Sequence, residues 1–172
     1  YGHREASSGA PYVIGDLMNP AEIADVFRKY DIDSVMHFAA FAAVGESVTN
    51  PKKYFDNNVR AALNLLEAML NADVKRLVFS STCAIFGEPV EIPISETHPT
   101  SPTNPYGESK LFFEKVLKWY DNAYGLKSMC LRYFNAAGAH PSAELGEDHT
   151  PENHLIPLVL GAAAGTRKPL TV

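Results

Sequence analysis

The sequence predicts an α/β fold with a doubly wound parallel sheet, because predicted strands alternate with predicted helices along most of the chain. A helix that joins two parallel strands returns across one face of the sheet, so such a sheet is covered by helices on both faces. A second observation agrees: small and polar residues directly follow the predicted strands, at the edge where open parallel sheets bind ligands. The 172 residues, 46% hydrophobic and 20% charged, can bury one core of ordinary size.

Three apolar runs rich in β-branched and aromatic residues are predicted to be buried strands: Ser34–Phe38, Arg76–Ser80 and Ser128–Phe134. Two shorter runs, Tyr12–Gly15 and Pro169–Val172, are predicted to be further strands. Together with the helices between them, these segments give the order β-α-β-α-β-α-β-α-β.

Four segments place apolar residues at helical spacing. The first begins after Asn19, a residue type that caps helices, with Pro20 at its first position. The third is predicted to end at Gly125, which can adopt the left-handed conformation that terminates helices. The predicted helices cover residues 20–30, 51–72, 105–124 and 154–164.

Charge and composition exclude several classes of protein. The net charge is −5, so a strongly basic surface for nucleic acid or anionic lipid is not expected. The longest uncharged apolar stretch, Leu155–Gly165, is too short to cross a membrane. The two cysteines, Cys83 and Cys130, exclude a disulfide framework, and the reducing cytoplasm is the simplest compartment.

One pair of residues indicates chemistry. Tyr106 and Lys110 stand four residues apart at the start of a predicted helix and therefore share a helical face. A nearby ammonium favours the phenolate and is expected to lower the pKa of the tyrosine, which suits it to remove a proton from a hydroxyl while hydride leaves the carbon. Thr82 follows a predicted strand, and its hydroxyl could relay that proton. Alternatively, Tyr106 and Lys110 pair by chance and Thr82 satisfies a loop backbone.

Other polar groups give weaker signals. Phe38-Ala39-Ala40 follows a strand, and small residues there let a flat or phosphate-bearing ligand approach, although tight packing would also select them. Asp16 could accept a hydrogen bond from an adenine amino group, or be an ordinary surface residue. No metal is predicted, because the His and acidic residues between His140 and His154 match no helix-borne ligand motif.

Ten stretches in the same order along the chain carry a resemblance: Gly15-Asp-Leu17, His37-Phe-Ala-Ala40, Val44-Gly-Glu-Ser47, Tyr54-Phe-Asp-Asn-Asn-Val59, Ser80-Ser-Thr82, Asn104-Pro-Tyr-Gly-Glu-Ser-Lys110, Leu131-Arg-Tyr-Phe-Asn135, Gly138-Ala-His-Pro-Ser142, Leu145-Gly-Glu-Asp148 and His154-Leu-Ile-Pro157. The chain resembles the extended short-chain dehydrogenase/reductase superfamily and, within it, the UDP-glucose 4-epimerase family. This resemblance implies a Rossmann-like fold, tightly bound NAD, and interconversion of UDP-glucose and UDP-galactose through a 4-keto intermediate.

The resemblance also implies roles for individual residues. Tyr106 would be the catalytic base and acid, Lys110 its electrostatic partner, and Thr82 the hydroxyl beside C4 of the sugar. The implied NAD-binding residues are Tyr1, Gly2, Asp16, Leu17, Phe38, Ala39, Ala40, Asn58, Thr82, Tyr106, Lys110 and Phe134. The implied substrate-binding residues are Thr82, Tyr106, Asn135 and His154. Ala42 stands where many family members carry a lysine, so one expected cofactor contact is absent or replaced.

The resemblance further implies that residues 1–172 form a partial NAD-binding Rossmann domain, with 136–155 contributing to the sugar-nucleotide site. The first two strands and the C-terminal substrate domain of the family are not in this sequence, so we expect a longer parent chain. A homodimer would form through the helices near 51–72 and 105–124.

Two alternatives stay open. One is a pentose-specific enzyme that interconverts UDP-xylose and UDP-arabinose; the other is an inert dinucleotide-binding domain on the same fold. Related 4,6-dehydratases carry Asp-Glu directly after the threonine, because eliminating water needs a further acid and base. Here Cys83 and Ala84 occupy those positions, which favours oxidation and reduction without elimination.

Overall fold

A computed structural model describes residues 9–152 and 154–170. It contains two compact units. Residues 11–134 form the larger unit, and residues 135–170, with 9 and 10, belong to the smaller one. Tyr1, Gly2 and Val172, which enter the sequence predictions, lie outside the described residues.

The larger unit contains the parallel sheet and most of the helices. Its elements are α1 (Pro20–Lys29), β1 (Val35–His37), α2 (Val44–Thr49), α3 (Pro51–Phe55), α4 (Ala61–Asn71), β2 (Arg76–Thr82), α5 (Pro105–Tyr124) and β3 (Lys127–Tyr133). A π-helical turn, Asp56–Arg60, joins α3 to α4, and a 3₁₀ turn, Cys83–Ile85, follows β2.

The described residues form one sheet of three parallel strands in the order β1-β2-β3. In its register Val35 lies opposite Leu77, and Thr82 at the end of β2 lies opposite Tyr133. Helices connect each strand to the next along the chain, as parallel pairing requires. The predicted α/β class with a parallel sheet is therefore confirmed.

One predicted strand is not formed, and another is described only in part. Tyr12–Gly15 is no strand, because a strand needs a hydrogen-bonded neighbour and this run pairs with none of the described strands. In the last predicted strand, Pro169 and Leu170 have no strand structure, and residues 171 and 172 lie outside the description.

The predicted helix ends are mostly confirmed. The Asn19 side chain accepts a hydrogen bond from the Ala21 backbone at 3.2 Å, and α5 ends at Gly125, whose φ is +70°. The helix predicted over 51–72 is one continuous run of α3, the π turn and α4. The short helix α2 is missing from the sequence prediction, because six residues that include Gly45 give too little periodicity to detect.

The core of the larger unit joins the sheet to α1, α4 and α5. Fully buried side chains come from α4 (Leu66 and Met69), β2 (Phe79) and α5 (Phe113 and Leu117). Because α5 packs on β2 and β3, the first turns of α5 lie beside the carboxyl end of β2.

The smaller unit is mostly irregular and contains the helix α6 (Leu155–Ala163), which begins after His154. Four apolar side chains of α6 are exposed: Leu155, Ile156, Val159 and Leu160. Among the residues that the structure describes, no helix has both the length and the hydropathy to cross a membrane.

Candidate functional site

The end of β2 meets the start of α5 at a glycine. A Cβ atom on Gly107 would lie 2.7 Å from the carbonyl oxygen of Ala84 and 3.1 Å from its carbon. Only a residue without a side chain lets the first turn of α5 approach the Cys83–Ile85 turn this closely. The helix is fixed from the other side by Asn104, whose side chain accepts a 2.9 Å hydrogen bond from the Gly107 backbone.

This approach brings Thr82 and Tyr106 together. Thr82 is the last residue of β2, and its side chain lies close enough to the Tyr106 phenol to lower the pKa of that phenol. Its hydroxyl oxygen also accepts a 3.1 Å hydrogen bond from the backbone N–H of Ala84, which restricts its rotation. Thr82 is only 7% exposed, so this hydrogen bond is largely shielded from water.

Lys110 lies one helical turn further along the same face. Its ammonium donates a 2.7 Å hydrogen bond to the carbonyl oxygen of Ser80 and lies 4.8 Å from the centre of the Phe79 ring. The distance from the ammonium nitrogen to the centre of the Tyr106 ring is 6.0 Å. Burial lowers the pKa of Lys110 to about 8.

The expectation that Lys110 lowers the pKa of Tyr106 is wrong for the structure described here. The pKa of Tyr106 is raised, chiefly because burial disfavours the phenolate, and the hydrogen bond from Thr82 acts in the opposite direction. The reason lies in the geometry: the ammonium is directed at the Ser80 carbonyl rather than at the phenol oxygen.

Two aromatic residues that sequence reasoning missed belong to this site, one packed on Tyr106 and the other near Lys110. Tyr54 is fully buried and packs edge-to-face on Tyr106, with ring centres 6.5 Å apart. Its hydroxyl lies 2.7 Å from the Ala43 carbonyl oxygen and 2.9 Å from a Glu46 carboxylate oxygen. Burial, with the Glu46 hydrogen bond, raises the pKa of Tyr54 to about 12, so this phenol stays protonated.

The second is His37, the last residue of β1. It is 5% exposed and stacks on Phe79 with ring centres 5.8 Å apart. Burial, followed by the charge of Lys110, lowers the pKa of His37 to about 4, so the imidazole is neutral near pH 7. Only its place directly before Phe38-Ala39-Ala40 could have drawn attention to it.

Asn58 holds the segment that follows β1. Its carbonyl oxygen accepts a 2.9 Å hydrogen bond from the Phe41 N–H, and its amide nitrogen donates at 2.9 Å to the Phe41 carbonyl oxygen. The same nitrogen lies 3.2 Å from the Ser109 hydroxyl on α5. Asn58 lies in the π-helical turn, a feature often found at functional sites. The segment it anchors contains Phe38, which is 53% exposed and free to line a ligand.

Asp16 and Leu17 border a cavity of about 630 Å³ between their own segment, α1 and β1. The Asp16 carboxylate accepts a 2.8 Å hydrogen bond from the Met18 backbone, and the Leu17 carbonyl accepts one of 3.0 Å from Asn64. The cavity lining is mainly apolar, with Val13, Ile14 and Ile23 among its residues. A cavity of this size and character could enclose a flat aromatic ring system.

The remaining predicted residues are spread over the two units. Phe134 follows β3, is 54% exposed, and stacks on Phe86 with ring centres 6.3 Å apart. Asn135 and His154 belong to the smaller unit and are exposed there. The His154 backbone N–H donates a 2.8 Å hydrogen bond to Glu152, and its ring hydrogen-bonds Glu147.

The smaller unit also brings four potential metal ligands together. One ligand atom each from Glu147, His149, Glu152 and His154 lies within 4.8 Å of the others. Two imidazoles and two carboxylates are a ligand set that zinc accepts. Sequence spacing gave no sign of this cluster, because the chain folds back on itself between these residues. That the protein binds no metal stays a prediction.

The chain is similar to a known family and to several known proteins. The family model described as the NAD dependent epimerase/dehydratase family matches residues 2–172. The chain is 52% identical to the UDP-glucose 4-epimerase of Halalkalibacterium halodurans over 171 residues, which are 99% of this chain and 51% of that protein. The chain spans about half the length of the curated relatives it matches.

Two solved structures share this architecture. One is the UDP-glucose 4-epimerase of Brucella ovis in complex with NAD, with a TM-score of 0.94 and 46% identity over 98% of this chain and 52% of that one. The other is the UDP-glucose 4-epimerase of Bifidobacterium longum in complex with NAD+ and UDP, with a TM-score of 0.87 and 44% identity over 95% of this chain and 50% of that one. The expected Rossmann-like fold and the resemblance found in the sequence are thus confirmed.

Proposed function

Since the chain belongs to the NAD dependent epimerase/dehydratase family, we propose that the complete protein is an NAD-dependent 4-epimerase that interconverts UDP-glucose and UDP-galactose. One observation carries the proposal: the half-buried phenol of Tyr106 lies beside Thr82 at the carboxyl end of a parallel strand, close enough for Thr82 to lower its pKa. A phenol and a hydroxyl in contact at this edge of the sheet can move a proton to and from a bound sugar.

The larger unit offers surfaces that fit NAD. Asp16 and Leu17 border the cavity, which would take the adenine end, and Asn58 supports the segment of small residues after β1. We propose that Phe38, Ala39, Ala40, Lys110 and Phe134 hold the rest of the cofactor, with Tyr1 and Gly2 at the adenosine ribose. When bound, NAD supplies the acceptor and donor of hydride at C4 of the sugar.

Tyr106 would exchange the proton of the C4 hydroxyl. The phenolate that accepts this proton is stabilised by the hydrogen bond from Thr82 and disfavoured by burial. The positive charge of a bound nicotinamide ring would offset the cost of burial. When the reduced cofactor gives the hydride back to the opposite face of the 4-keto sugar, Tyr106 would return the proton to the C4 oxygen.

The residues after Thr82 support oxidation without elimination. Cys83 and Ala84 form the start of the 3₁₀ turn, and neither side chain is a carboxylic acid. A dehydratase needs an additional base and acid beside the sugar to remove water. The residues at these two positions therefore favour proton and hydride exchange over elimination of water.

We further propose that Asn135 and His154 bind the UDP-sugar, so that residues 136–155 contribute to the substrate site of a partial NAD-binding domain that spans residues 1–172. A homodimer would pair helices near 51–72 and 105–124. Support comes from Phe112 and Trp119 on α5, which stand seven residues apart and are 50% and 72% exposed. A cytoplasmic location is supported by two free cysteines.

The experiment is an assay of the complete protein with UDP-galactose and no added NAD. We expect UDP-glucose to form, and Tyr106→Phe to lower turnover by about three orders of magnitude with NAD still bound. Tyr124→Phe, an exposed tyrosine on the same helix, is the matched control and should turn over normally. Turnover of UDP-arabinose alone would establish the pentose alternative. Bound NAD without turnover of either sugar would establish the inert domain.

A further inference from the structure

One face of α5 carries three polar residues in successive turns: Tyr106, Lys110 and Glu114. Lys110 donates its hydrogen bond to the carbonyl oxygen of Ser80. Glu114 accepts a hydrogen bond of 2.5 Å from the hydroxyl of Ser81. The helix that carries the phenol is therefore tied to the two residues that directly precede Thr82.

Glu114 also reaches the next strand. Its carboxylate is held by Arg132 on β3 through two hydrogen bonds, Nη2 to Oε2 at 2.8 Å and Nε to Oε1 at 3.2 Å. In the sheet register Ser81 lies opposite Arg132, so one carboxylate binds both members of a cross-strand pair. The guanidinium also lies 5.2 Å from the centre of the Phe86 ring.

Burying such a carboxylate is expensive, and Glu114 is only 4% exposed. Apolar residues of similar volume often fill such positions with equal or greater stability, so a buried ion pair is weak evidence for stabilisation. Two-point contact with a guanidinium gives something that apolar packing lacks, namely a fixed direction and distance. The network lies one residue from Thr82 and two helical turns from Tyr106. The geometry that it fixes is therefore that of the strand and the helix which carry these two side chains.

We propose that Glu114 is a positioning residue: by binding Ser81 and Arg132 at once, it fixes β2 against α5 and so sets the separation of the Thr82 hydroxyl from the Tyr106 phenol. The catalytic part of this inference rests on the proposed epimerase function. Glu114 itself touches neither of the two reacting side chains.

The test uses Glu114→Gln and Ser81→Ala in the complete protein. Glutamine keeps the shape and can still accept from Ser81, but it loses the charge that holds Arg132. Alanine at 81 removes one hydrogen bond and leaves the ion pair in place. We expect kcat with UDP-galactose to fall about 10- to 100-fold in Glu114→Gln and less in Ser81→Ala, with KM changed less than about twofold.

A second measurement needs no turnover. Because the hydrogen bond from Thr82 favours the phenolate, a displaced Thr82 must raise the pH at which Tyr106 ionises. The tyrosinate absorbance of each variant, measured against the same variant carrying Tyr106→Phe, isolates this one ionisation. We expect it to move to higher pH in both variants.

Asp121→Asn is the matched control. Asp121 also joins α5 to β3 through an ion pair, 2.5 Å from the Lys127 ammonium, but at the far end of the helix and on the surface. The kcat of Asp121→Asn and the pH at which its Tyr106 ionises should equal those of the wild type. The inference is overturned if Glu114→Gln and Ser81→Ala keep wild-type kcat and ionisation, or if their kcat falls only as much as their folded fraction.

The two hypotheses fail separately. If the wild type converts no UDP-sugar, the epimerase proposal is wrong, whereas a shifted Tyr106 ionisation still supports the positioning of Thr82 by Glu114. If Glu114→Gln does not fold, the milder Ser81→Ala decides between the outcomes.

Discussion

The Lys110 ammonium donates its hydrogen bond to the carbonyl oxygen of Ser80, at 2.7 Å, and so ties α5 to β2. This hydrogen bond joins the helix that carries Tyr106 to the strand that carries Thr82. It lies one helical turn after Tyr106 and two residues before Thr82. Lys110 thus has two roles in the proposed site: it holds the helix in place, and it contributes a positive charge to a region from which water is largely excluded.

Replacement of Lys110 by methionine is expected to stabilise the fold at pH 7. The folded state lowers the pKa of this lysine from its usual value near 10.5 to about 8, so the unfolded state binds the proton more tightly. The destabilisation caused by the buried charge is complete below about pH 8, and it disappears as the pH rises from about 8 to 10.5. Lys110→Met should gain about 1–3 kcal/mol at pH 7 and progressively less toward pH 10.

Urea denaturation at several pH values measures this gain, and the same variant should lose at least about tenfold in turnover. Lys118→Met, a substitution at an exposed position on the same helix, is the control and should change the stability at pH 7 by less than about 0.5 kcal/mol. Equal stability of wild type and Lys110→Met at pH 7 and 10 would contradict the burial argument.

Thr82 is expected to act through its hydroxyl. Thr82→Val keeps the volume but removes the hydrogen bond to Tyr106, so the pKa of the phenol should rise and the low-pH limb of the kcat profile should move to higher pH. We expect kcat to fall about 10- to 100-fold at neutral pH. Thr82→Ser keeps the hydroxyl and should retain most of the activity; a serine variant as slow as the valine variant would count against this role.

Gly107→Ala is expected to separate α5 from the Cys83–Ile85 turn. The added Cβ would meet the backbone oxygen of Ala84 at 2.7 Å, and backbone cannot move aside as a flexible side chain does. We expect a loss of about 1–3 kcal/mol in stability and a lower turnover, because Tyr106 is carried with the helix. Gly45→Ala, where no atom lies within 4 Å of the new Cβ, should leave the melting temperature unchanged or raise it.

Asn58→Ala is expected to loosen the segment after β1. It leaves the N–H and the carbonyl of Phe41 without the partners they have now, at a cost of about 1–3 kcal/mol. We expect weaker NAD retention, measured by the cofactor content of the purified complete protein. Asn71→Ala, at the exposed end of α4, is the comparison; equal NAD content in both variants would show that Asn58 is not needed to shape the site.

Metal removal should leave turnover unchanged. Glu147, His149, Glu152 and His154 lie close enough to share an ion, but the proposed chemistry needs none. We therefore expect dialysis against a chelator to have no effect, and added zinc to give no activation. Turnover lost on dialysis and restored by zinc would show that this prediction is wrong.

The strands and helices that carry the candidate site were largely predictable from the sequence. The helical spacing of Tyr106 and Lys110 predicts that they share one face of α5. The apolar run that begins at Arg76 predicts the strand that ends at Thr82. Tyr12–Gly15 was predicted as a strand on composition alone, and it failed because a strand exists only with a partner. A short helix with a glycine at its second position, α2, was missed for lack of periodicity.

Fold class, helix ends and family could all be predicted from the amino-acid sequence, because periodicity, caps and motif spacing are local properties of the chain. The folded chain alone reveals that the Lys110 ammonium meets the Ser80 carbonyl and that Tyr54 packs on Tyr106. It alone reveals as well that Glu114 binds Ser81 and Arg132 together. Those partners are separated by tens of residues, and their hydrogen bonds depend on the register of strands and on how closely a helix approaches them, which no local pattern encodes.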